Sequence, residues 1–155
     1  MLSTCSGSTQ TQDTSVSTGL TPQTTTTSPA FRLSELKSAE DRWRTSNISN
    51  YQFTIGYSCF MVCGSGPVRV TVKNDQVTSV FPIDVQDSAS NRHIPQFTYV
   101  ALDLFKLIRG DIGDFEFSAT YDKKTGFPLS FYSGGEETWL DDEFGFQTKD
   151  FKLTS

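Results

Sequence analysis

Five carboxylates crowd one short stretch near the end of the chain: Glu136, Glu137, Asp141, Asp142 and Glu143. An oxygen-rich loop of this kind suits a hard cation such as calcium, with Glu137, Asp141 and Asp142 as the ligands. Paired carboxylates also carry acid–base hydrolysis, as in glycosidases, where a desolvated acid faces a sugar cleft. A charged hairpin loop that solubilises a domain and guards a strand edge has the same composition. Trp139 lies inside this stretch, either as an exposed anchor for a partner or folded back onto the sheet. Other catalytic residue types are scarce. The one imidazole, His93, stands in a polar run beside Arg92 and Pro95, and no Ser or Cys has a second base nearby to activate it. Gly64-Ser65-Gly66 leads into Pro67 and a strand rather than a helix N-terminus, so it is no phosphate cradle. The residues imply no catalytic constellation and no cofactor.

Three cysteines carry the remaining chemistry. Cys59 and Cys63 are set in Cys-Phe-Met-Val-Cys-Gly-Ser-Gly, with three residues between them where a thioredoxin-like pair has two. One histidine and no second cysteine pair make a poor zinc set. A disulfide between them would close a small loop and contribute roughly 2 kcal/mol. Two reduced, buried thiols are the alternative in a reducing compartment. Cys5 is the odd one out. Leu2-Ser3-Thr4-Cys5 resembles the end of a lipobox, the bacterial lipoprotein signal in which the cysteine thiol takes up a diacylglycerol. Thr4 is bulkier than the usual small residue, and the basic and apolar segments of a signal peptide do not precede it.

Composition separates the tail from the domain. Of 155 residues, all thirteen Phe, five Tyr and two Trp fall between Phe31 and Phe151. Residues 1–30 hold one charge, Asp13, and are rich in Ser and Thr, a composition that cannot bury enough apolar surface to offset its ordering entropy. Residues 1–31 therefore read as a disordered tether carrying the lipobox remnant, and residues 32–155 as a single domain. A net charge of -5 argues against nucleic acid or an anionic membrane surface as a partner. No apolar run approaches the length of a membrane span.

The elements follow from periodicity. Leu33, Leu36, Ala39, Glu40 and Trp43 step by three and four, which predicts a helix that exits at Asn47 and Asn50. Tyr51, Phe53, Ile55, Tyr57 and Cys59 alternate with polar neighbours, as a half-buried strand does. Val68, Val70 and Val72 alternate with Arg69, Thr71 and Lys73, and Asn74-Asp75 turns the chain into Gln76–Phe81. Thr98 is placed to cap a second helix with apolar Val100, Ala101, Leu104, Phe105, Leu107 and Ile108. Phe115, Phe117, Ala119 and Tyr121 alternate next, then Phe127, Leu129 and Phe131, where Pro128 argues for an edge or a strand start. Glu143 to Leu153 changes phase between Phe146 and Phe151, as a bulge or a fraying end would produce. The order is helix–strand–strand–strand, twice, and Tyr51–Tyr57 matches Phe115–Tyr121 in aromatic spacing, as a duplication would. The expected fold is α+β, one antiparallel sheet of about six strands with two helices packed on one face.

Several segments resemble a bacterial family, domain of unknown function 6174. They are Trp43, Tyr51-Gln52-Phe53-Thr54 leading to Ser58-Cys59, Gly66 to Val72, Leu104 to Ile108, Tyr121-Asp122 through Gly126-Phe127-Pro128, and Asp141 to Phe146. The chain departs from the family's pattern in the spacing of Cys59 and Cys63 and in Phe127, where Tyr is common. The resemblance implies a secreted lipoprotein of the cell envelope, on its periplasmic or extracellular face, and no activity. The expectation is a non-enzymatic binding module for an envelope protein or ligand, touching the membrane only through lipid on Cys5. A calcium-binding or carboxylate-dependent hydrolase on residues 136–143 is the alternative.

Overall fold

The computed structural model describes residues 27–59, 66–83, 99–135 and 143–155. Helix α1 spans Pro29–Thr45, ahead of the expected domain boundary. Ser28 caps it, its hydroxyl accepting the Phe31 N–H at 3.3 Å, and Pro29 fills the first turn, where a missing N–H costs nothing. Asn47, at φ 51°, takes the left-handed conformation that releases the chain. Strands β1 (Tyr51–Cys59), β2 (Val68–Lys73) and β3 (Gln76–Pro82) follow. After helix α2 (Ala101–Gly110) come β4 (Glu116–Tyr121), β5 (Pro128–Gly134) and β6 (Phe144–Leu153). No helix among the described residues is long and apolar enough to cross a membrane.

All six strands form one antiparallel sheet in the order β3-β2-β1-β6-β5-β4. Cross-strand register explains its covered face. Tyr51, Phe53 and Ile55 stand opposite Val72, Val70 and Val68, while Tyr57 stands opposite Phe146 and Phe146 opposite Phe131. Because side chains alternate, each pair points to the same side. Both helices pack there: Leu36, Ala39 and Trp43 of α1 and Leu104, Phe105 and Ile108 of α2 share one buried core with the sheet. Phe127 sits at its centre, its ring 5.4 Å from Trp43, 5.2 Å from Phe53 and 4.5 Å from Phe151. Gly126, at φ 80°, brings it there: a Cβ at that position would lie 2.0 Å from the Ala39 carbonyl oxygen.

Pro128 starts its strand, as expected, in the interior of the sheet, since β5 lies between β4 and β6. Three other local expectations change. The register shifts beside Pro128, so Leu129 falls out of phase with Phe131 and is exposed. Phe115 precedes the ladder of β4 and is also exposed. Thr98 lies outside the described residues; Val100 is the N-cap of α2 and offers no side-chain bond. The Tyr51 hydroxyl on β1 accepts the Ala101 N–H instead, at 2.9 Å, so a distant strand caps this helix. The phase change in β6 is a bulge, with Asp150 at φ 53° beside the shift in pairing with β1.

The order helix–strand–strand–strand does recur, but not as a rigid repeat. β1 is central and β4 is an edge, and alternating antiparallel pairings make the two run in opposite directions. Laying β1-β2-β3 over β4-β5-β6 thus reverses strand direction while keeping strand order, which turns the sheet over and would put α2 on the far side. Both helices lie on the same side. The two halves have opposite hand.

Candidate functional site: the uncovered face of the sheet

The same alternation that buries the aromatic rings sends the other half of each strand to the opposite face. On β2 the outward residues are Arg69, Thr71 and Lys73, exposed or half-buried between three buried valines. On β1 they are Gln52, Thr54, Gly56 and Ser58, and on β6 Gly145, Gln147, Lys149 and, past the bulge, Lys152. Ser130 and Tyr132 on β5 and Glu116, Ser118 and Thr120 on β4 complete it.

Strand pairing sets these residues in rows. Thr54 stands between Arg69 and Lys149, Gln52 between Thr71 and Lys152, and Ser58 beside Gly145, which pairs with Tyr132. A concavity of about 700 Å³ lies over the middle of the face, lined by Thr54, Ser58, Ser118, Ser130, Tyr132, Gln147 and Lys149 among others. Gly56 lies in its floor, and Gly145 on the next strand leaves room for the Ser58 hydroxyl beside it. A Cβ on Gly145 would stand 2.9 Å from the Ser58 hydroxyl and 2.7 Å from the Phe131 carbonyl oxygen.

Polar groups here bond laterally. Gln52 donates to the Thr71 hydroxyl at 2.9 Å, the hydroxyls of Thr120 and Ser130 are 2.6 Å apart, and Thr54 donates to Asp150 at 3.2 Å. Tyr132 donates to Glu116 at 3.3 Å. Its phenol is held above the ordinary range, by desolvation first and then by the carboxylates of Glu143 and Glu116. None of these groups forms a nucleophile–base pair; the arrangement is one of donors and acceptors at fixed spacing, suited to holding a polar ligand.

The whole-chain balance conceals a local concentration of cations. Arg69 and Lys73 on β2 and Lys149 and Lys152 on β6 flank β1 on the open face, with the carboxylate of Asp150 among them. On the helical side Glu40 accepts from Arg44 at 2.7 Å and from Arg109 of α2. Burial alone would raise the Glu40 pKa, but those two guanidiniums hold it below the ordinary carboxylate value. Arg32, buried, donates to the carbonyls of Ile112 and Asp114 at 3.1 and 2.8 Å and lies over the Phe117 ring, clamping the start of α1 to the loop before β4.

Of the residues singled out from sequence, Cys59 ends β1 and Glu143 stands exposed just before β6. Cys5, Cys63, His93, Glu136, Glu137, Trp139, Asp141 and Asp142 lie outside the described residues. No group of three or more metal-ligating side chains occurs among the described residues. The uncovered face was half visible in the sequence: every polar phase was legible, but not which strands lie side by side.

An antiparallel sheet with one face under helices and the other open defines the chain as an α+β domain with a single uncovered platform. The model of a family of unknown function, DUF6174, matches residues 35–153, and the chain belongs to that family. No curated protein and no solved structure matches it.

Proposed function

We propose that this protein is a non-catalytic binding module of the bacterial cell envelope, anchored by lipid on Cys5 and meeting its partner with the helix-free face of its sheet. One observation carries the reading: the concavity over that face, where the polar groups of Ser58, Ser118, Ser130, Gln147 and Lys149 converge around apolar surface that includes Pro67 and Ile83. Such a surface offers directional bonds to a ligand and nothing that would make or break a covalent bond. Cys5 and the Ser/Thr-rich run behind it support the anchor, because a solvated spacer lets a tethered domain turn towards its partner. A disulfide between Cys59 and Cys63 belongs to the same reading, since it would pin the strand end beside this face in an oxidising compartment.

The test has two parts. Labelled palmitate should enter the protein in a bacterial host when its gene is expressed with its own upstream sequence, and Cys5→Ser should abolish incorporation; unchanged labelling would remove the anchor. A photocrosslinking residue at Ser130, on the open face, should capture an envelope component that one at Lys37, on α1, does not. Equal capture would overturn the choice of face. Stoichiometric calcium binding lost in Asp142→Ala would favour the acidic stretch 136–143 as the working part of the molecule.

A further inference from the structure

The open face has a charge pattern that narrows its partner. Arg69, Thr54 and Lys149 form one row across β2, β1 and β6, and Thr71, Gln52 and Lys152 form the next. With strands about 4.8 Å apart, the cations of the first row flank Thr54 at a Cα separation of about 10 Å. Among the described residues neither Arg69, Lys149 nor Lys152 forms an ion pair, in a chain whose net charge is -5. Asp150, the carboxylate beside them, sits in the bulge and accepts the Thr54 hydroxyl. Carboxylates at the far edge, Glu116 and Glu143, are drawn to Tyr132.

Three features decide between anionic partners. A planar bilayer would not reach the floor of a concavity of about 700 Å³, but a single chain would. A folded acidic protein anchors through a central cluster of aromatic and aliphatic hot spots, whereas the outward residues of β1, β5 and β6 are chiefly Ser, Thr, Gln and Lys, with Pro67 and Ile83 the aliphatic residues of the concavity. Its large exposed ring, Phe81, stands opposite Arg69 at the end of the row, where a sugar face can stack. Resting on the binding reading above, we propose that this face binds an acidic polysaccharide laid across the strands. Arg69 and Lys149 hold successive carboxylates, and Gln52 and Gln147 bond the sugar hydroxyls.

Calorimetry of the full chain at low salt tests this with size-fractionated oligogalacturonate, the same sugars as methyl esters, poly-L-glutamate, and phosphatidylserine-containing vesicles. Oligogalacturonate should bind, and weaken as ionic strength rises through about 0.1 M, where the Debye length is about 10 Å. The ester, poly-L-glutamate and the vesicles should each bind at least about tenfold more weakly. Arg69→Ala with Lys149→Ala should weaken oligogalacturonate by about tenfold or more without moving the thermal midpoint, and Arg69→Lys with Lys149→Arg should restore most of it. No binding, equal binding of the ester, unchanged binding by the double alanine variant, or equal binding of poly-L-glutamate or vesicles would overturn the assignment. Capture from Ser130 with no oligogalacturonate binding would sink the polysaccharide alone and leave the binding face standing.

Discussion

The two faces of this sheet are built from the same strands and do opposite work. Under the helices, Tyr51, Phe53, Val70 and Phe127 are fully buried, and the charges near them are paired or bonded to carbonyls. On the other side Gln52, Arg69 and Ser130 meet solvent or bond to neighbours on the same face, and the covered Thr54 donates to Asp150. Stability therefore resides on one face, and the other is free to vary its chemistry at little energetic cost. That separation lets a small domain present a polar surface without weakening its core.

The sharpest way to break the contrast is at Gly126. Gly126→Ala places a Cβ against the Ala39 carbonyl at a left-handed φ, and Phe127→Ala empties the centre of the aromatic cluster. Each should cost about 3–5 kcal/mol in chemical denaturation, by steric strain in one case and by cavity formation in the other. A loss below about 1 kcal/mol in both would mean that the covered face is not the stabilising one. Tyr51→Phe keeps the ring and removes the acceptor for the Ala101 N–H. It should cost about 1–3 kcal/mol, with hydrogen exchange at the start of α2 accelerating most.

Glu40 gives a smaller, pH-dependent effect. Its folded-state pKa lies below the ordinary carboxylate value, so its contribution is present above about pH 4.5 and is lost as pH falls through the depressed value. Arg44 and Arg109 are partly solvated, which limits the pair's worth, and Glu40→Gln should lower stability by about 1 kcal/mol at neutral pH. The difference from the parent should shrink in denaturation curves at acid pH; a constant difference would show that the loss is one of packing. Smallest of all, Ser130→Ala and Ser118→Ala on the open face should change stability by no more than about 0.5 kcal/mol. A larger loss would mean that this face also holds the fold together.

Much of the architecture was legible because its signals are short-range. The Asn74-Asp75 turn between two valine-rich alternations, with φ of 50° and 59°, is a hairpin signature that two residues carry by themselves. The phase change in β6 marked the place of the bulge at Asp150 for the same reason, and the pairing with β1 shows that it is a bulge and not a fraying end. What sequence reading missed depends on neighbours far along the chain. Thr98 looked like the cap of α2, but the bond to the Ala101 N–H comes from Tyr51, fifty residues earlier. Phe115 and Leu129 carry the right residue type in the right phase, and only the ends and shifts of the ladder leave them outside the core. A net charge is a sum over the chain and holds no information about which face each charge occupies.

Periodicity alone thus determined the two helices, the six strands and the apolar side of each, because alternation and helical stripes are properties of consecutive residues. Tertiary structure decided that β6 returns to pair with β1, since that contact joins residues about ninety positions apart and no local pattern encodes it. From that one pairing follow the central place of β1, the opposite hand of the two halves and the meeting of Arg69, Thr54 and Lys149 in a single row.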